Sequence, residues 1–193
     1  MTSQPGLTAH PDRIRWNARY AGGFQPSFRP HPLAEQALSL PLPDGPVLEL
    51  ASGPSGSALL AAAAGRAVTA VDVSEVALGL LAAEAEARGL GGLITPVQAD
   101  LAGWRPPGSY ALVLCTGYWD RAVFASCAEA AAPGGLLGWE ALTPAARQAR
   151  PGLCPGWCLR DGEPASLLPG GFSVLGQHDT ADGSRRRLLA RRG

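Results

Sequence analysis

The run Val47-Leu48-Glu49-Leu50-Ala51-Ser52-Gly53-Pro54-Ser55-Gly56, with Val68-Thr69-Ala70-Val71-Asp72 after it, constrains the fold more than any other stretch. An apolar segment carrying a carboxylate enters a turn of small residues and gives way to a helix-compatible segment. A second apolar segment then ends in another acid. In a parallel α/β sheet both acids lie at the carboxyl edge, where ligands bind beside closely approaching backbone. Ala51, Ser52 and Gly53 let the main chain touch a ligand, and Asp72 can accept hydrogen bonds from a ribose diol. This pattern implies a nucleoside-bearing ligand. A dinucleotide is disfavoured: its pyrophosphate needs the N–H groups of a glycine-rich loop, and Pro54 removes one. Glu49 would also repel phosphate, whereas it suits an ammonium or a sulfonium.

With these residues the chain resembles the class I S-adenosylmethionine-dependent methyltransferases, whose first motif reads acid-apolar-Gly-x-Gly-x-Gly. Here Glu49-Leu50-Ala51-Ser52-Gly53-Pro54-Ser55 stands in its place, with Ala51 and Ser55 replacing two glycines. The ribose-binding acid of the family falls on Asp72, and Asp100 in Val97-Gln98-Ala99-Asp100-Leu101 resembles the acid that meets the adenine amino group. Tyr110 to Thr116 matches the fourth strand, and Pro133-Gly134-Gly135 is similar to the turn before the fifth. Trp16-Asn17-Ala18-Arg19-Tyr20 resembles the W-(D/N)-x-R-Y segment of tellurite-resistance-type and thiopurine-type small-molecule methyltransferases.

The resemblance implies a doubly wound seven-stranded mixed sheet of order 3-2-1-4-5-7-6, closed by a C-terminal antiparallel hairpin. It implies S-adenosylmethionine as cofactor, held by Trp16, Tyr20, Glu49, Ala51, Ser52, Gly53, Asp72, Val73, Asp100, Leu101 and Thr116. Arg19, Tyr118, Trp119 and Glu140 are the expected acceptor-binding residues. No side chain reads as a general base; His31, in a proline-rich loop, is a weak candidate. That leans towards soft nucleophiles such as thiols or reduced chalcogens, which need little help from a base. A non-catalytic sensor or scaffold that binds the same cofactor remains an alternative, and a nicotinamide-dependent oxidoreductase a weaker one.

Composition narrows the partners. The 193 residues carry no net charge and no lysine. A nucleic-acid-binding domain would carry a positive excess. Arg185-Arg186-Arg187 with Arg191-Arg192 is the only basic cluster and reads as a solvated strand edge. No apolar run approaches the roughly 20 residues of a membrane span, and Met1 to His10 lacks the features of a secretory signal. The four cysteines form no zinc pattern, so no metal is expected. A cytoplasmic enzyme, monomeric or homodimeric, that binds neither nucleic acid nor membrane is the expectation.

One domain is expected over 1–193: an N-terminal tail and helical cover (1–46), a cofactor-binding core (47–141), then a lid-like loop and hairpin (142–193). Residues 1 to 10 read as a loose tail, and helices are expected over 11–20, 33–40, 57–64, 75–87 and 120–132. Ser74 and Asp120 are candidate N-caps. Strands are expected over 47–50, 67–71, 93–97, 110–114, 136–141, 172–178 and 185–190, with Pro96 marking an edge strand.

Overall fold

Valine and leucine runs too short and too evenly apolar for surface helices form one sheet in the computed structural model, which describes residues 1–193. Its strands are β1 (Thr2–Ser3), β2 (Val47–Leu50), β3 (Val68–Asp72), β4 (Ile94–Gln98), β5 (Tyr110–Thr116), β6 (Ala131–Leu142), β7 (Phe172–Asp179) and β8 (Arg185–Arg192). Their order is β1-β4-β3-β2-β5-β6-β8-β7. β1 to β6 are parallel to their neighbours, while β8 runs antiparallel between β6 and β7. The expected seven-strand order is therefore present, with one addition. Thr2–Ser3 pairs with Val97 and Gln98, so the tail is a short edge strand and β4 is not the edge. Pro96 is tolerated because β1 reaches only the last two residues of β4.

The helices are α1 (Pro11–Ala21), α2 (Pro32–Leu38), α3 (Gly56–Ala63), α4 (Glu75–Ala87), α5 (Arg121–Ala128) and the single turn α6 (Ala146–Ala149). Apolar residues of successive strand positions are buried on both sides, as a sheet covered on both faces requires. One core joins Leu33 and Ala37 of α2 to Leu59 of α3, Leu78 and Leu81 of α4, and Leu112, Leu114 and Leu189 of the sheet. The other joins Leu48, Leu50, Val113 and Leu188 to Trp119, Phe124 and Trp139. Those three aromatics meet edge-on or tilted, with centroids 5.0–6.3 Å apart, a geometry worth about 0.5–1.5 kcal/mol per pair beyond area burial.

Two expected boundaries move. The helix after Asp120 stops at Ala128 rather than continuing to 132, because Ala131 already pairs with Tyr110. β6 accordingly begins before the Pro133-Gly134-Gly135 turn, across a register shift. Residues 144–169 contain α6 and two 3₁₀ turns, Pro155–Trp157 and Ala165–Leu167. This segment is anchored to α5 by the Arg121–Glu163 ion pair at 2.8 Å. No helix is long and apolar enough to cross a membrane.

Candidate functional site

Four consecutive strand ends, those of β3, β2, β5 and β6, bring most of the expected site residues to one rim of the sheet. At β2 the turn begins with Ala51, whose φ of 48° lies in the left-handed region that favours glycine. The alanine thus keeps the conformation of the glycine it replaces. Ala51→Gly is expected to stabilise the protein by about 0.5–1 kcal/mol, since relief of left-handed strain outweighs the extra unfolded-state entropy of glycine. Urea denaturation measures this, and a destabilised variant would contradict it. Gly53, at φ 57°, follows in the same turn.

Ser55, the other replaced glycine, has a double role that the sequence reading did not assign. Its Oγ caps α3 by accepting from the Ser57 and Ala58 N–H groups, and it donates to Glu49 Oε1 at 2.8 Å. A serine immediately before a helix-compatible segment is a legible N-cap signal; its reach back to Glu49 is not. Gly56 is needed next to it, because a Cβ there would overlap the backbone of Phe28 and Arg29.

Glu49 is 2% exposed, and its Oε2 has no hydrogen-bond partner. Burial pushes its pKa up to about 7, against the hydrogen bond from Ser55, and the charge of Asp72 adds to the rise. A buried carboxylate oxygen without a donor is costly. It fits a ligand group that brings both a donor and positive charge.

Asp72 stitches two loops together. Its Oδ2 accepts from Gly53 N–H and its Oδ1 from Ser74 N–H, each at 2.8 Å. Burial raises its pKa, and these backbone donors oppose the rise. A carboxylate oxygen can accept a second hydrogen bond, as from a hydroxyl. Val73 follows at the start of the turn, and Ser74 caps α4.

α1 crosses this region with no buried residue of its own and is held by polar contacts. Asn17 Oδ1 accepts from Ser74 Oγ at 2.7 Å, and Arg13 pairs with Glu75. The position of α1 puts Tyr20 over the turn: a Cβ added to Gly53 would lie 3.0 Å from the Tyr20 hydroxyl. Burial, then the nearby Asp72, pushes the Tyr20 pKa up to about 12. Trp16 stacks on Tyr20 with centroids 5.8 Å apart. Arg19 is exposed and lies over the Trp16 and Phe24 rings, 5.5 and 5.9 Å from their centroids.

Asp100 lies one strand further along. Its Oδ1 accepts from Ala102 N–H at 3.1 Å, and its Oδ2 is 3.5 Å from His10 Nε2. Its own N–H donates to Gln4, so the N-terminal segment borders this end of the rim. Leu101 beside it is buried in the core with Ala99.

On the β5 and β6 side the residues divide. Thr116 ends β5 directly opposite Glu140. Tyr118 is half-buried, and burial followed by the charges of Asp120 and Asp100 raises its pKa. Trp119 belongs to the aromatic core, 6% exposed, and does not stand with the rim residues. Asp120 caps α5 by accepting from Val123 N–H.

Glu140 is buried and fully engaged. Its Oε2 meets His31 Nε2 at 3.2 Å and Arg187 Nε at 2.7 Å, and its Oε1 meets Arg185 Nη1 at 3.1 Å. Burial alone would raise its pKa, but the hydrogen bonds from His31 and Arg187 and the charge of Arg185 hold it down at about 2. Both oxygens of Glu140, an expected acceptor-binding residue, thus already face Arg185, Arg187 and the His31 ring. His31 is equally committed, since its Nδ1 accepts from Leu33 N–H at the start of α2.

Known proteins align with this architecture. The family model described as a methyltransferase domain matches residues 47–135. No curated protein matches the chain by sequence. Among solved structures, TehB from Haemophilus influenzae superposes with a TM-score of 0.70 at 15% identity, covering 92% of this chain and 67% of that one. The magnesium protoporphyrin IX methyltransferase ChlM from Synechocystis PCC 6803, with bound SAH, gives 0.66 at 22% identity over 94% of each chain. A protein that converts a disulfide bond into a thioacetal group during echinomycin biosynthesis gives 0.68 at 23% identity, over 93% of this chain and 92% of its own. Residues 47–135 therefore match a methyltransferase-domain family model, and the whole chain shares the fold of these solved structures.

Proposed function

We propose that this enzyme methylates a small-molecule nucleophile, of the thiol or reduced-chalcogen kind, and that the rim from Asp100 to Glu49 holds its cofactor. S-adenosylmethionine supplies an electrophilic methyl group on a sulfonium, with a neutral leaving group. In this reading Glu49 Oε2 takes the ammonium of the cofactor's amino-acid part. Asp72 takes the ribose hydroxyls, and Asp100 with Val73 and Leu101 borders the adenine. Ala51, Ser52 and Gly53 give backbone approach, and Trp16, Tyr20 and Thr116 close the cofactor's surroundings. The observation that carries the reading is the buried Glu49 oxygen without a donor, beside the backbone-anchored Asp72.

The state of the two basic groups near β6 supports a soft acceptor. His31 has both ring nitrogens in use, and Glu140 is engaged by two guanidinium groups and the His31 ring. Neither is free to take a proton, so the nucleophile must arrive with an available lone pair, as a thiolate does at modest cost. The fold supports sulfur chemistry in the echinomycin-pathway protein named above. What this chain's residues contribute is orientation and exclusion of water, which suffice for a displacement that needs no leaving-group protonation. The acceptor class is tested by release of S-adenosylhomocysteine with matched thiol, amine, hydroxyl and carbon nucleophiles. Preferential turnover of thiols is expected, and turnover confined to another class would overturn the sulfur reading.

A further inference from the structure

The arginine run in β8 has a use beyond solvation. Because Leu189 shares a core with Leu114 and Leu33, alternate residues Arg187 and Arg185 lie on the α2 side of the sheet. There they face Glu140, which β6 presents directly opposite Arg187. Two guanidinium groups meet one carboxylate, with His31 as a third donor, so the cluster carries a net positive charge. Arg185 uses only Nη1 and Arg187 only Nε among their side-chain donors. The guanidinium forks keep further N–H groups, of the kind that bind an oxyanion in a bidentate manner.

The cluster stands at the rim and not on a remote surface. Gly117, in the loop after β5, donates its N–H to the Glu140 carbonyl at 2.9 Å. A Cβ added to Gly117 would be 3.7 Å from Arg185 Nη1. The side chains of Arg185, Arg187 and His31 are 38%, 25% and 24% exposed, so they are reachable yet partly shielded from water. Partial shielding strengthens a charge-assisted contact relative to one in bulk solvent.

We infer that Arg185 and Arg187 form an anion subsite for the methyl acceptor, which therefore carries a carboxylate or a similar oxyanion. Glu140 is its built-in counter-charge: it holds both arginines in position and lowers the field that an incoming anion meets. This inference rests on the β5–β6 end of the rim being the acceptor side. Its consequence is a pair of opposite effects that a purely structural ion cluster would not give. Removing Arg185 weakens anion binding, and neutralising Glu140 strengthens it.

The test titrates thiosalicylate, and separately the uncharged thiophenol, into the complex of the protein with S-adenosylhomocysteine, where no methyl group is available. Thiosalicylate is expected to bind about tenfold or more tighter than thiophenol. Arg185→Gln should remove most of that preference, and Glu140→Gln should enlarge it. Arg185 is the most exposed of the three donors, and Glu140 retains His31 and Arg187 without it. Unchanged affinity of both variants for S-adenosylhomocysteine serves as the check on folding, with Arg185→Lys as the charge-conserving variant should Arg185→Gln fail it. Equal binding of the two probes, or weaker thiosalicylate binding in Glu140→Gln with the cofactor side intact, would overturn the subsite. Selective binding with the expected variant pattern but no methylation of thiosalicylate supports the subsite and counts only against the sulfur acceptor.

Discussion

Glu49→Gln is expected to remove a pH dependence from both stability and cofactor binding. In the ligand-free protein the Glu49 carboxyl titrates at about 7, against 4.5 for an ordinary glutamate. Between those values the folded state keeps a proton that the unfolded chain has lost. Stability therefore falls as pH rises from about 4.5 to 7 and levels off above. At about 1.4 kcal/mol per pH unit the total is on the order of 3 kcal/mol. The glutamine variant should lack this slope in denaturation curves recorded across that range. Binding has the opposite trend. A ligand ammonium favours ionised Glu49, so affinity for S-adenosylhomocysteine should rise with pH up to about 7 and release close to one proton below it. A wild-type affinity independent of pH, or a variant with the same pH profile, would remove Glu49 from the site.

Asp72→Ala is expected to weaken S-adenosylhomocysteine binding by roughly 10- to 100-fold, the equivalent of losing charge-assisted hydrogen bonds of about 1.5–3 kcal/mol. The effect has two sources. The ribose loses its acceptor, and the Gly53 and Ser74 N–H groups lose theirs, which loosens the turn that approaches the ligand. The second source also costs stability, by about 1–3 kcal/mol for buried donors left unpaired. Equilibrium binding at a temperature where the variant is folded isolates the affinity change. A folded Asp72→Ala protein with an unchanged dissociation constant would exclude Asp72 from cofactor binding.

The parts of this molecule that local chemistry determines were legible in the sequence. β2 falls on Val47–Leu50 because Pro46 and the Ala51 turn bracket a short apolar run. Ser74 caps α4, and α4 ends at Ala87, two residues before Gly89. The parts that long-range pairing determines were not. Nothing in Thr2-Ser3 marks a strand; it exists because the end of β4 offers unpaired backbone groups. Ala131 joins β6, and not the preceding helix, because Tyr110 is there to pair with it.

The same division runs through the site. Glu49, Asp72 and Asp100 could be read from strand-end positions, and the rim carries all three. Glu140 was also read correctly as a strand-end acid, yet its three partners come from residues 31, 185 and 187, too distant in sequence for any spacing rule. Trp119 follows the catalytic edge in sequence but turns inwards, where Phe124 and Trp139 provide ring contacts that solvent cannot. Ser55 looked like a damaged motif glycine. Its hydroxyl instead caps a helix and orients Glu49.

Calorimetric titration of the wild-type protein with S-adenosylhomocysteine, beside oxidised and reduced nicotinamide dinucleotides, reaches the central claim most directly. Saturable binding of S-adenosylhomocysteine at one site per chain, with no heat from either dinucleotide, is the result expected of a rim that offers carboxylates and no phosphate cradle. Dinucleotide binding, or no binding of S-adenosylhomocysteine by the folded protein, would contradict it.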